Sequence, residues 1–159
     1  MRDFIKVFLV IFTVFLFNTI LSKISPSFIL LFNLFSLVVI YFAIEKGEIF
    51  GSCLGVLCGL LQDYFSFSFG VYGVASLAKT ITGYLAGYIA KKIDVHPLLH
   101  SFVFILILVS VEFTLWALLN SLIFTESVYT GRRLIIFQPL ITAFLGSLLF
   151  FLLRKIKKE

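Results

Sequence analysis

The chain has 159 residues, of which 61% are hydrophobic and 13% are charged, and its mean hydropathy is +1.14. Soluble domains carry roughly 25% charged residues, so the composition excludes an ordinary soluble fold and indicates an all-α integral membrane protein. The net charge of +5 does not indicate nucleic-acid binding, because the basic residues lie at the ends of apolar runs, where membrane topology requires them.

Six apolar runs are long enough to cross a bilayer core of roughly 30 Å as helices. They lie at about 4–22, 28–44, 48–64, 71–90, 98–122 and 134–153. The first segment opens with Arg2 and Lys6, as a signal sequence would. No pair of small residues marks a cleavage site before Lys23, so we expect this run to be retained as the first span. The runs and their short connections use the whole length, which predicts one transmembrane domain over 1–159.

The basic residues divide unequally between the two sides of this six-span arrangement. Lys23, Arg132 and Arg133 lie on one side. The opposite side holds Arg2, Lys6, Lys46, Lys91, Lys92, Arg154, Lys155, Lys157 and Lys158. Because basic residues are enriched on the cytoplasmic side of membrane proteins, this distribution predicts that both termini are cytoplasmic.

A row of small residues runs along the third predicted span. Gly47, Gly51, Gly55, Gly59 and Asp63 follow one another in steps of four, and such positions share one ridge of a helix. Bulky apolar residues lie between them, so the ridge is a groove that another backbone can approach closely. The neighbour is either a helix of the same chain or a second protein, including a second copy. We expect an internal contact at Gly55 and Gly59.

The fourth predicted span carries a matching pair of small residues in the sequence GYLAG, at Gly83 and Gly87. Small residues four apart are typical of closely packed membrane helices. The connection YFSFSFG before this span ends at Gly70. We expect partner contact on the outer surface between Asp63 and Gly70.

Three ionisable residues lie within or at the margins of spans: Asp63, Lys79 and Glu112. Lys79 and Glu112 both lie about 14 Å deep at 1.5 Å per residue, so we predict an ion pair between the fourth and fifth spans. Asp63 lies closer to the outer surface, within reach of Lys79 only if the lysine stem extends towards it. The pair either fixes helix packing, handles a ligand or proton, or contacts a partner. Asn18 and Asn33 are expected to bond each other or the backbone.

Cysteine and histidine offer little chemistry in this sequence. Cys53 and Cys58 lie in the glycine-bearing span and are expected to be buried thiols. His96 and His100 form either an interfacial pair or part of a metal site that lacks a third ligand in sequence. The sequence contains no phosphate loop, nucleophile elbow or metal-ligand cluster. We therefore expect no enzyme activity, no cofactor and no metal.

The string GxxxGxxxGLLQDYFSFSFGVYGVASLAKTITGYLAG, from Gly51 to Gly87, resembles the MreD family of bacterial rod-shape proteins. The string covers about a quarter of the chain. Lys79 lies inside it but is not part of the family pattern. The positions that match the pattern are Gly55, Gly59, Asp63, Gly70, Gly83, Tyr84 and Gly87.

The resemblance implies a non-enzymatic scaffold of the bacterial inner membrane that supports lateral peptidoglycan synthesis. Its implied partners are MreC and, in a larger complex, MreB, RodA and a class B penicillin-binding transpeptidase. It also implies a fold like that of the substrate-binding subunits of energy-coupling-factor transporters. That fold supplies the alternative function, a subunit that binds a vitamin or metal. The first span has no Ala or Gly, whereas such subunits often dock through an AxxxA row there.

Overall fold

The computed structural model describes residues 2–24, 33–65, 73–93, 98–123 and 132–158. Within these ranges the chain forms six α-helices and no strand. The helices are α1 (Arg2–Ile24), α2 (Leu34–Lys46), α3 (Glu48–Phe65), α4 (Val74–Ala90), α5 (Leu98–Ile123) and α6 (Arg132–Lys158). The all-α class expected from the composition is confirmed for this part of the chain.

The helices lie close to the predicted runs, with differences at their ends. Helix α2 begins at Leu34 and continues to Lys46, two residues beyond the predicted end at 44. The predicted start near residue 28 falls outside the described residues, as does the predicted start of the fourth run at 71. Helix α5 alone is long and apolar enough by itself to cross a bilayer, over Leu98–Leu122, among the residues described. Shorter apolar stretches are Ile5–Leu21 in α1 and Phe137–Leu152 in α6.

The helices pack around α2, α3 and α4. The most extensive contact joins α3 and α4, and α2 packs against both of them. Helix α5 packs between α4 and α6, whereas α1 lies at the periphery and touches α2 and α3 only along a narrow strip. Two apolar clusters fill the interior, one around Ile40, Ile105 and Ala143 and the other around Val39 and Leu54. Helix α2 contributes to both clusters, so it is the central helix of the bundle.

The described outer surface of the bundle is apolar along α1, α3, α4, α5 and α6. Large hydrophobic side chains such as Phe8, Ile49, Leu77, Leu99 and Phe144 are exposed. A soluble monomer rarely exposes contiguous apolar surface of more than a few hundred Å², while a membrane protein presents such a surface to lipid. The interior, in contrast, contains a lysine and two carboxylates. The arrangement of apolar outside and polar inside is typical of helical membrane proteins.

Candidate functional site

The glycine row of α3 lies directly against the backbone of α4. A Cβ atom at Gly55 would lie 2.5 Å from the carbonyl oxygen of Lys79, and one at Gly59 would lie 2.6 Å from the amide nitrogen of Ser76. At Gly51 it would lie 2.6 Å from the carbonyl oxygen of Gly83. Real Cβ atoms essentially never come within 3.0 Å of a neighbour, so the two backbones are in contact. Any side chain in this row would force the helices apart.

The small residues of α4 complete the same contact from the other side. A Cβ at Gly83 would lie 2.7 Å from the carbonyl carbon of Gly51, and one at Gly87 would lie 2.5 Å from the Cα atom of Glu48. Tyr84 follows Gly83 in sequence but points outward, with 48% of its surface exposed. The Tyr84 and Tyr88 rings stack with their centroids 6.2 Å apart. The family pattern therefore combines inward glycines with one outward aromatic residue.

Gly47 precedes α3 and is not part of that helix, so the helical ridge begins at Gly51. Gly47 still packs against α4, because a Cβ at Gly87 would lie 2.6 Å from the Gly47 carbonyl carbon. It lies between α2 and α3 with a φ of +94°, a region that side chains other than glycine rarely adopt. Its amide donates to the carbonyl of Ala43 at 2.9 Å, and its carbonyl accepts from the amide of Gly51 at 3.0 Å. Gly47 is the one-residue junction that ends one helix and begins the next. Gly70 lies outside the described residues.

Asp63 caps the start of α4 and does not pair with Lys79. Its carboxylate, 5% exposed, accepts the backbone amides of Gly73 at 2.9 Å, Ala75 at 3.2 Å and Ser76 at 3.4 Å. The first amides of a helix have no partner within the helix, and the N-terminus favours negative charge. Asp63 satisfies these amides from the end of α3. It thereby joins the end of α3 to the start of α4, and its buried carboxylate is not an exposed partner contact.

The opposite end of the pair is joined by an exposed charge contact. The ammonium group of Lys91 donates to Oε1 of Glu48 at 2.7 Å. Exposed pairs of this kind contribute about 0–1 kcal/mol, so this contact adds little stability. The contact shows that the start of α3 and the end of α4 lie side by side.

A buried ion pair joins Lys79 of α4 to Glu112 of α5. The Lys79 side chain is 0% exposed and Glu112 is 4% exposed. The lysine Nζ also donates to Oδ1 of Asn33 at 3.0 Å and to the hydroxyl of Ser36. An ammonium group has three donors, and each has an acceptor here. The lysine is therefore fully satisfied inside the bundle.

Glu112 draws its partners from the beginning of α2. Its Oε1 accepts from Nδ2 of Asn33 at 3.0 Å and from the hydroxyl of Ser36 at 2.7 Å, besides Lys79. Its Oε2 is buried and has no hydrogen-bond partner among the residues described. The N-terminus of α2 also favours the carboxylate through the helix dipole. We call Lys79, Glu112, Asn33 and Ser36 the polar cluster; it connects α2, α4 and α5.

Two members of the polar cluster were not expected from the sequence. Asn33 does not bond Asn18, whose Nδ2 donates to the carbonyl of Val14 at 3.1 Å. Asn33 precedes α2, and its lateral neighbours come from helices 46 and 79 residues further on. Ser36 is a small polar residue within an apolar run, a common feature of packed membrane helices. The distance of Asn33 from the ends of its predicted span could have indicated it as a neighbour of the ion pair. No feature of the sequence indicated Ser36.

The remaining candidate residues carry no assembled chemistry. Cys58 is buried but Cys53 is exposed on the outer face of α3, so the expectation of two buried thiols is wrong for Cys53. His100 is exposed, and His96 lies outside the described residues. In the described part of the chain, no three His, Cys, Asp or Glu side chains are grouped as metal ligands would be. The described site consists of closely packed helix backbones and a buried ion pair.

These features define an all-helical bundle with an apolar exterior, of the class of helical membrane proteins. The family model for rod shape-determining protein MreD matches residues 2–156, nearly the whole chain. The chain therefore belongs to the MreD family. No curated protein and no solved structure shows a significant match.

Proposed function

We propose that this chain is a non-enzymatic, multi-pass scaffold of the bacterial elongation machinery. In this proposal all six helices insert in the plasma membrane with both termini in the cytoplasm. The chain supports lateral peptidoglycan synthesis by holding MreC, and through it MreB, RodA and the class B penicillin-binding transpeptidase. Family membership over residues 2–156 carries the proposal. A fold like that of energy-coupling-factor substrate-binding subunits is part of the same proposal.

The rigid α3–α4 pair supports a scaffolding role. Its backbones touch through glycine, Asp63 fastens one end, and Lys79 ties the pair to α2 and α5. A scaffold must present a fixed surface to its partner, and such a surface lowers the entropy cost of association. Within the family pattern, the described glycines and Asp63 are used internally, whereas Tyr84 is exposed. Tyr84 is therefore the residue of the pattern that we expect to contact a partner.

A pull-down from native bacterial membranes in mild detergent tests the proposal. We expect a bitopic MreC-like protein to co-purify with the wild-type chain. Tyr84→Ala should reduce its recovery about tenfold or more, because aromatic anchors dominate interface energies. Phe144→Ala is the matched control, since Phe144 is an exposed aromatic residue on α6, and it should leave recovery unchanged.

Three outcomes would contradict the proposal. Absence of any cell-envelope protein from the wild-type pull-down would contradict the scaffold role. Equal loss with both variants would contradict the assignment of Tyr84. Stabilisation of the purified chain by a vitamin in a thermal-shift screen would favour the transporter alternative, because a tight ligand raises the stability of the folded state.

A further inference from the structure

Two oxygen atoms in the interior of the bundle have no hydrogen-bond partner among the residues described. They are Oε2 of Glu112 on α5 and the hydroxyl oxygen of Thr142 on α6. Glu112 is 4% exposed and Thr142 is 1% exposed. A buried polar atom without a partner destabilises the folded state, because its hydrogen bonds to solvent are lost and not replaced. Each of these oxygens therefore requires a partner inside the bundle.

Thr142 differs from the other threonines of the described helices. Each of those donates its hydroxyl to the backbone carbonyl four residues earlier, at 2.6–2.9 Å; they are Thr13, Thr19, Thr80, Thr82 and Thr114. A bond of this kind satisfies a threonine within its own helix. Thr142 makes no such bond, so its hydroxyl is available to a group outside α6.

The packing of α2 against α6 fixes the level of Thr142 in the bundle. The two helices meet at Tyr41 and Phe150, whose ring centroids lie 5.3 Å apart. Four residues earlier on both helices, a Cβ at Gly146 would lie 2.5 Å from Cδ2 of Leu37. The contacts advance equally along both chains, so the helices run parallel here, and residues four apart lie on the same face of each.

One further turn of four residues on each helix brings Thr142 level with Asn33. The side-chain amide of Asn33 donates to Oε1 of Glu112 at 3.0 Å. The Thr142 hydroxyl on α6 and the Glu112 carboxylate on α5 therefore lie at the level of the same asparagine. The two unpaired oxygens belong to one polar layer of the bundle.

The chemistry of this layer determines which ligand fits the two oxygens. A carboxylate oxygen only accepts hydrogen bonds, whereas a hydroxyl both donates and accepts. The ammonium group of Lys79 on the same carboxylate opposes a second cation, and the carboxylate itself opposes an anion. A small neutral donor and acceptor is left. Water has this chemistry, and buried waters typically bond otherwise unpaired polar groups.

We propose that one internal water molecule is bound between Oε2 of Glu112 and the hydroxyl of Thr142. The water donates to the carboxylate and accepts from the hydroxyl. It extends the polar cluster to α6, whose packing in this part of the bundle also uses apolar residues such as Ala143 and Phe150. The inference concerns the interior of the fold and does not depend on the proposed scaffold function.

Nuclear Overhauser spectroscopy between water and methyl groups tests the inference on the full-length chain in detergent micelles, with threonine and valine methyl groups labelled. We expect a cross-peak between water and the methyl group of Thr142. Thr82 is the control within the same protein. It is also 1% exposed, but its hydroxyl donates to the carbonyl of Ala78 at 2.9 Å, so its methyl group should give no such cross-peak.

Thr142→Val removes the hydroxyl and nearly preserves the side-chain volume. The methyl groups of the introduced valine should give no cross-peak with water. The variant should have a lower melting temperature than the wild-type chain, because the carboxylate loses its bridging water. The same change should not lower the melting temperature in a Lys79→Met and Glu112→Leu background, which lacks the carboxylate. Thr82→Val is the matched control and should have the same effect in both backgrounds.

Several results would overturn the inference. Absence of a cross-peak at Thr142, or an equal cross-peak at Thr82, would exclude a specifically bound water. A cross-peak that persists in Thr142→Val would assign the signal to exchanging protons of another group. A lower melting temperature for Thr142→Val without any cross-peak in the wild-type chain would indicate a direct bond from the hydroxyl to the carboxylate. The comparison of Thr142 with Thr82 needs no variant, so it decides the question even if Thr142→Val does not fold.

Discussion

At the scale of single residues, the main feature is a lysine and a glutamate buried together in the bundle. A charge at membrane depth costs at least about 2.5–3.5 kcal/mol by insertion scales. Lys79 offsets this cost with three acceptors, and Glu112 offsets it with three donors on Oε1. Each member of the pair is tolerable only while the other is present. The pair therefore favours one relative position of α2, α4 and α5, which we call the packing register.

This register predicts a specific double-mutant result. Lys79→Met and Glu112→Leu should each lower the free energy of unfolding by about 3–5 kcal/mol, because each leaves an unpaired buried charge. The double variant should lose less than either single variant. Unfolding of the purified protein in mixed micelles, followed by circular dichroism, measures these losses. Lys92→Met, which removes an exposed lysine of the same chain, is the control. A double variant less stable than both single variants would contradict the register.

Asp63 allows a second test at this scale. Asp63→Ala removes the acceptor for three backbone amides and should cost about 0.5–2 kcal/mol, the range for loss of a helix cap. Asp63→Asn keeps an acceptor oxygen and should cost less. Thermal unfolding of the two purified variants makes the comparison. If Asn were as damaging as Ala, the negative charge would matter more than the cap.

The sequence predicts the depth of Lys79 and Glu112 but not the residues around them. Distance from the span ends gave Lys79 and Glu112 the same depth, because helices rise uniformly along their axes. It did not give the lateral neighbours of the pair, which depend on how α2 rotates about its own axis. The contacts that Asn33 and Ser36 make with the pair therefore follow only from the structure. The step of four places Asp63 on a helical ridge, although an acid at the end of one helix can also cap the beginning of the next.

At the scale of elements, the α3–α4 pair is the most closely packed part of the bundle. The step-of-four glycine pattern predicted a close approach, and the structure places α4 of the same chain against Gly51, Gly55 and Gly59. At Gly47 the same spacing continues through a helix junction, and Gly47 also packs against α4, at Gly87. Periodicity alone does not show where a helix begins; the positive φ at Gly47 marks that point.

This contact predicts a graded effect of side-chain size at Gly55. Gly55→Leu should lower the stability of the purified protein by about 1–3 kcal/mol or more through overpacking. Gly55→Ala should cost less, although its Cβ would also meet the Lys79 carbonyl oxygen at 2.5 Å. Cys53→Leu, on the exposed face of the same helix, should change stability by less than about 0.5 kcal/mol. Melting temperatures in detergent provide the measurement.

A second experiment distinguishes an internal contact at the glycine row from a contact with a partner protein. If Gly55→Leu kept its melting temperature while the MreC-like partner no longer co-purified, the row would be a partner contact. In the internal case, loss of the partner should only follow loss of folded protein. Measuring both quantities on the same preparation separates these alternatives.

At the scale of the whole molecule, charged residues from distant parts of the sequence lie near one another. Lys6 and Glu45 both line one cavity between α1, α2 and α6, and Lys91 contacts Glu48. Residues assigned to the cytoplasmic side from sequence thus lie near one another at the same end of the bundle. Alternating spans would return each connection to one of two sides, and the assignment of these residues to the cytoplasmic side stays a prediction. The sequence could not predict the helix neighbours, which depend on side-chain packing.

The six-span orientation leads to a labelling prediction in intact cells, with the native cysteines replaced by alanine and an impermeant thiol reagent added outside. Single cysteines should resist labelling at four positions and react at one. The protected substitutions are Arg2→Cys, Lys46→Cys, Lys92→Cys and Lys158→Cys, and the reactive substitution is Thr130→Cys. Lysed cells are the control, because all five should then react. Labelling of Lys92→Cys from outside would contradict six spans, since α4 and α5 would no longer return the chain to the cytoplasmic side between them.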